Sequence, residues 1–164
     1  QVTELLARRY EMPVVTACLF NLYGESPRGL VTASIASQIA RHETQRLAVP
    51  RIRVRNLLGV RDMIHVDDAA RGLMALVRHG KPGELYNLGT GDGVAVRELL
   101  ERLLAMSRLK DWDVVPEGPQ YGDYSHADIG KITHDTGWRP SVSLDEGLAR
   151  ELNYWREQVA MQLV

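Results

Sequence analysis

Arg61-Asp62-Met63-Ile64-His65-Val66-Asp67-Asp68-Ala69 joins an arginine to the start of a helix, and the rest of the chain is read outward from it. Asp67 is a good N-cap, because its short carboxylate accepts from the free N–H groups of a first turn, and Val66 precedes it at the staple position. Ala69-Ala70-Arg71-Gly72-Leu73-Met74-Ala75-Leu76-Val77 continues with apolar residues at helical spacing, and Gly80 offers a stop. Arg61 is then expected to project from a structured turn, where a planar guanidinium fork can grip a diphosphate through two parallel hydrogen bonds.

Upstream, 1–10 reads as the end of a helix closed by Glu11-Met12-Pro13, and 14–22 as a short apolar run typical of a buried parallel strand. Residues 21–29 read as a loop and 32–42 as a helix with Ile35 and Ile39 on one face, while 51–55 alternates as a half-exposed strand does. Downstream, Lys81-Pro82-Gly83 is a turn and 84–88 a second buried strand. Residues 94–107 form an amphipathic helix with Val96, Leu99, Leu100, Leu103 and Leu104 as its apolar stripe. A strand over 112–115, a Gly-, Pro- and Tyr-rich loop, and helices near 128–136 and 144–158 complete the chain. Strands alternating with helices give an α/β class.

The 164 residues, 45% of them apolar, suit one domain with a real core. A formal net charge of −1 gives no electrostatic footprint for nucleic acid or an anionic membrane. No apolar run approaches the roughly 18 residues a membrane helix needs. The first ten residues lack the continuous apolar stretch of a signal peptide. Cys18, the one cysteine, excludes an internal disulfide, suits a cytoplasmic location, and reads as a buried, inert thiol in its apolar run. The start inside an amphipathic helix, without an initiator Met, reads as that of a fragment.

Gly89-Thr90-Gly91-Asp92-Gly93 follows an expected strand and opens a helix, the context of a phosphate-cradling loop. Its spacing is G-x-G-x-G rather than G-x-G-x-x-G, and Asp113 begins rather than ends the next expected strand, so a tight strand-to-helix turn is the better reading. Asn21, after the apolar run, places an amide at the carboxyl end of a parallel strand, where open α/β sheets bind ligands. Alone, Asn21 reads as an Asx-turn and Arg61 as a surface ion pair with Asp62 or Asp68; together and in this order they favour a ligand. His65, Asp67 and Asp68 lie too close in sequence to converge on a metal, so no metal site is assigned. Short-chain hydride-transfer chemistry needs a Tyr with a Lys four residues on, the ammonium lowering the phenol pKa. Val77, Met106 and Ala127 stand four residues before Lys81, Lys110 and Lys131, so no catalytic residue is assigned.

The opening segment resembles the Arg-Asp-aromatic-x-His-Val-x-Asp element of the extended short-chain dehydrogenase/reductases that act on nucleotide sugars. Cys18-Leu19-Phe20-Asn21-Leu22-Tyr23-Gly24 is similar to that family's R-x-F-N-x-Y-G-P strand end, and Glu84-Leu85-Tyr86-Asn87-Leu88-Gly89-Thr90-Gly91 to its Y-N-x-G-x-G segment. Thr136-Gly137-Trp138-Arg139-Pro140 and Asn153-Tyr154-Trp155-Arg156 resemble its L-G-W-x-P tail and final helix. Val54-Arg55-Asn56-Leu57, Lys81-Pro82-Gly83-Glu84 and Leu104-Ala105-Met106-Ser107 resemble the GDP-4-keto-6-deoxymannose reductases and GDP-mannose 4,6-dehydratases in particular; Glu25-Ser26-Pro27-Arg28-Gly29 leans toward the dehydratases. The chain departs from the pattern at Cys18 (arginine in the family), Glu25 (proline), Arg55 (glycine) and Gln120-Tyr121-Gly122-Asp123, which carries no second diphosphate-binding arginine.

The resemblance implies the C-terminal part of a Rossmann-like fold: the last parallel strands plus a small α/β substrate-binding subdomain, with 1–164 as one domain. NAD or NADP is expected on an N-terminal half not contained here, together with the Tyr-x-x-x-Lys pair just before Gln1 and a homodimer interface on that helix. Asn21 and Arg61 are expected to hold the diphosphate of a GDP-linked sugar, Val31 and Asn56 to border its nucleoside within 30–58, and Leu19 and Phe20 to face the nicotinamide. Two other readings stay open. One is a stand-alone or degenerate nucleotide-sugar-binding domain, or a UDP- or dTDP-sugar epimerase fragment. The other is a self-sufficient NAD-binding unit built on 84–115.

Overall fold

Short β-branched and aromatic runs form the strands of this chain and amphipathic runs its helices, as a computed structural model describing residues 5, 7, 9–25, 30–45 and 49–162 shows. In order they are β1 (Thr16–Leu19), β2 (Asn21–Tyr23), α1 (Val31–Gln45), β3 (Arg51–Arg55), β4 (Val60–His65), α2 (Val66–His79) and β5 (Leu85–Leu88). There follow β6 (Gly93–Ala95), α3 (Val96–Ala105), β7 (Asp113–Glu117), β8 (Tyr124–Ser125), α4 (Gly130–Thr136) and α5 (Leu144–Met161). β1 pairs with β5, β2 with β4, β3 with β7 and β8 with the start of β4, all parallel; β6 joins β4 antiparallel. The α/β expectation holds.

β4 lies at the centre because its two faces are both apolar. Neighbouring residues of a strand point to opposite sides. Met63 accordingly joins Tyr23, Ile35, Ile39, Ile52, Leu99, Leu103, Leu148 and Leu152 in one buried cluster beneath α1, α3 and α5. Ile64 joins Tyr86, Leu88, Ile132 and Trp138 in a second, beneath α2 and α4. Burial at about 25 cal/mol per Å² of apolar surface makes these two clusters the main favourable term holding the elements together.

Several expectations are corrected. The N-cap of helix α2 is not Asp67 but His65, two residues earlier, whose Nδ1 accepts from the Asp67 N–H at 3.2 Å. Asp67 instead pairs with Arg150 at 2.9 Å. Gly80 ends the helix as expected, its N–H bonded to the Leu76 carbonyl at 2.8 Å. Arg61 lies inside β4 rather than on a turn. Residues 21–23, read as loop, form β2, because the neighbouring β4 edge supplies hydrogen bonds that no sequence period announces. The helix read over 94–107 starts at Val96, residues 93–95 being drawn into β6, and 124–125 is a short strand rather than loop.

Cys18 is exposed, not buried: β1 has one strand neighbour among the described residues, which leaves Cys18 and Leu19 open on its other side. Of the expected first helix, Leu5, Ala7, Arg9 and Tyr10 are helical. The rest of that helix, and the dehydratase-like 26–29, lie outside the described residues. No helix among them is long and apolar enough to cross a membrane.

Candidate functional site

Asn21 stands where the chain leaves β5 for β4. The Phe20 N–H still donates to the Leu88 carbonyl at 2.9 Å, whereas Asn21 is already opposite Met63. Its side-chain amide donates to the Asp62 carbonyl at 3.1 Å, which fixes its position without an Asx-turn. Arg61 precedes Met63 by two positions, so Arg61 and Asn21 share one face of the β2–β4 pair, about 7 Å apart along the strands.

The guanidinium of Arg61 is not paired with Asp62 or Asp68. One terminal nitrogen donates to the Asp123 carboxylate at 2.6 Å and the other to the Val60 carbonyl at 2.9 Å. Asn56, just past β3, donates from its amide nitrogen to the other Asp123 oxygen at 3.1 Å and accepts from the Tyr121 N–H at 3.0 Å. It does so with a φ of 40°, a left-handed conformation that Asn tolerates better than most side chains. Gln120 accepts from the Leu57 N–H at 2.8 Å and so serves as a loop tie. The hydrogen bond from Arg61 holds the Asp123 carboxyl below the usual carboxylate range. Two sequence-selected residues thus meet on one carboxylate; the 60 or more positions between them give no sequence signal of it.

Val31, the first residue of α1, opens a groove of about 610 Å³ whose other polar lining includes Gln38, Arg41, Arg53, Arg55 and Glu117. The groove reaches Arg55, the residue before Asn56, but neither Asn56 nor Arg61 lines it. Leu19 is 42% exposed at the end of β1 and Phe20 half-buried beside Asn21, an apolar approach to the same strand ends.

The glycine turn at 89–93 already contains its anion. Asp62, fully buried, accepts from the Thr90 N–H at 2.7 Å, the Thr90 hydroxyl at 2.8 Å, the Gly91 N–H at 2.9 Å and the Ala127 N–H at 3.0 Å. A Cβ on Gly89 would come within 2.6 Å of the Asp62 carboxylate and 2.5 Å of the Ala127 side chain, so glycine is what lets the turn close. This overturns the self-sufficient NAD-binding reading of 84–115, because the N–H groups a dinucleotide phosphate would use are spoken for. Asp68 is equally internal: it accepts from the Ser141 and Val142 N–H groups, each at 2.9 Å, and from Arg71. Most of the opening motif is therefore scaffold, with Arg61, Val66 and Asp67 its partly exposed residues.

Tyr23 lacks the acidity for proton transfer: burial, reinforced by Asp68 and Glu151, pushes its phenol well above the ordinary value. It stacks edge-on against His65 at 5.2 Å. No group of three His, Cys, Asp or Glu among the described residues is arranged to hold a metal ion.

Comparison with known proteins places the fold. A family model for GDP-mannose 4,6 dehydratase matches residues 1–151. The chain is 30% identical over 151 residues to the GDP-6-deoxy-D-mannose reductase of Pseudomonas aeruginosa, covering 89% of this chain and 49% of that protein. The structure of RMD from Pseudomonas aeruginosa complexed with NADPH superposes with a TM-score of 0.89 at 25% identity, over 96% of this chain and 53% of that one. UDP-glucose 4-epimerase from Thermotoga maritima with UDP-glucose gives a TM-score of 0.80 at 28% identity, over 96% and 50%. The chain spans about half the length of these relatives, and less of some others.

Proposed function

The chain belongs to the GDP-mannose 4,6-dehydratase family, and from that premise we propose that it is the substrate-binding portion of an NAD(P)-dependent nucleotide-sugar reductase or 4,6-dehydratase, acting on a GDP-linked deoxyhexose. The observation that carries the reading is the shared face of β2 and β4 that holds Asn21 and Arg61. On this reading Arg61 and Asn21 take the diphosphate, Val31 and Asn56 border the nucleoside, and the cationic groove wall at Arg41, Arg53 and Arg55 favours an anionic ligand.

The cofactor fits this chain only in part. With Asp62 filling the glycine turn, its phosphates would be held elsewhere, and Leu19 and Phe20 would offer an apolar wall to the nicotinamide. Bound nicotinamide supplies hydride transfer at the sugar. This chain's part is to fix the nucleotide so that the sugar reaches it, with a second half, and a second copy of the whole enzyme, completing the assembly.

Calorimetric titration of GDP-mannose against the protein tests the reading. Binding is expected, and Arg61→Gln should weaken it by about tenfold or more, the loss typical of one charge-assisted bidentate contact. Equal affinity for the variant would overturn the assignment of Arg61. Tighter binding of UDP- or dTDP-glucose than of GDP-mannose would move the chain to the epimerase or dTDP-sugar branch.

A further inference from the structure

Asp123 is the charged group closest to Arg61, and it ends the 120–123 segment, one of those that depart from the family pattern. We propose that the Asp123 carboxylate is a built-in competitor for Arg61, so that a nucleoside diphosphate gains the guanidinium only as that side chain turns away. The proposal rests on the assignment of Arg61 to the diphosphate and concerns what controls that contact.

Three observations support it. One carboxylate engages both Arg61 and Asn56, through one oxygen each, at 2.6 Å and 3.1 Å. A phosphate brought to the same fork would stand within a few Å of that negative charge, a repulsion of about 1 kcal/mol or more near a protein surface. Release is also easy. Residues 118–122 are all exposed and tied to the 56–57 turn by the Gln120 side chain and the Tyr121 N–H, while the Asp123 carbonyl stays bonded to the Val60 N–H at 2.8 Å, so what gives way is the Asp123 side chain, turning on an anchored backbone. The ion pair is half-exposed, 24% at Arg61 and 41% at Asp123, and pairs of this kind hold weakly. Asn56, freed in the same motion, would present its amide nitrogen toward the nucleotide.

The competitor therefore lowers affinity for every diphosphate.

Titration of inorganic pyrophosphate and of GDP against the wild-type protein, Asp123→Asn, Arg61→Gln and the double variant tests this, with circular dichroism confirming the fold of each. Asp123→Asn should tighten pyrophosphate binding by about tenfold, and the gain should vanish in the double variant. Unchanged or weaker binding by Asp123→Asn overturns the proposal and makes Asp123 a support for Arg61 instead. If Arg61→Gln binds as wild type does, the diphosphate assignment itself fails, a result the Asp123 variant alone cannot produce. Asp123→Ser carries the same expectation should the asparagine variant not fold.

Discussion

At the scale of single residues, two kinds of buried carboxylate stand out. Asp62 and Asp68 sit where water is excluded and are surrounded by backbone N–H groups. Glu151 on α5 is just as inaccessible, yet neither of its oxygens has a hydrogen-bond partner. Burial pushes its carboxyl up to about 7, and Glu25 adds to the rise. The folded protein thus keeps a proton that the unfolded chain releases near its ordinary value of 4.5, so this group's stabilising effect is whole at acid pH and lost as pH climbs toward 7. The loss amounts to about 3 kcal/mol at most. Glu151→Gln removes the titration: urea unfolding should give similar stability to wild type at pH 5 and a more stable variant at pH 8. Parallel stability curves for the two proteins across that range would exclude the effect.

At the scale of elements, helix α2 shows packing overruling propensity. Gly72 sits in its middle, where alanine would ordinarily add about 1 kcal/mol to a helix. Here a Cβ would come 2.1 Å from Leu88 Cδ2 and 3.1 Å from the Trp138 ring, inside the second buried cluster. Gly72→Ala should therefore destabilise by about 1–3 kcal/mol, read as a lower midpoint in thermal unfolding; a raised midpoint would show that the helix can slide away from β5. The same contrast explains what the sequence disclosed. Helices α1, α2, α3 and α5 and strands β3 and β5 were legible because one face of each is apolar at its own period. β2, β6 and β8 were not, since two or three residues carry no period and their strand character comes from the β4 edge alone. The candidate site divides similarly. Asn21 and Arg61 stood out by chemistry and order. Asp123 and the anion inside the glycine turn did not, because each meets its partners across a gap in sequence that only folding closes.

At the scale of the whole molecule, β1 presents Leu19 at 42% exposure and Cys18 on a side with no described strand neighbour, and β5 presents Leu85 at 49%. Water-exposed apolar side chains at a strand pair's end suit a surface meant for covering. The proposed function says by what: a nicotinamide-binding half that supplies the Tyr and Lys this chain's lysine spacing lacks. Two consequences follow from the chemistry. Tyr23 is buried and its phenol raised, and no tyrosine of the chain has a lysine four residues on, so the chain alone should bind a GDP-sugar without converting it. Mixed with a separately produced nicotinamide-binding half carrying a Tyr-x-x-x-Lys pair, it should gain turnover, followed by nicotinamide absorbance, and Leu19→Asp should suppress that gain while leaving GDP-mannose titration unchanged. The aspartate would bring a charge to the covered strand end without touching Arg61 or the groove, so assembly and ligand binding separate in one variant. Turnover by the unaccompanied chain would contradict this division of labour directly.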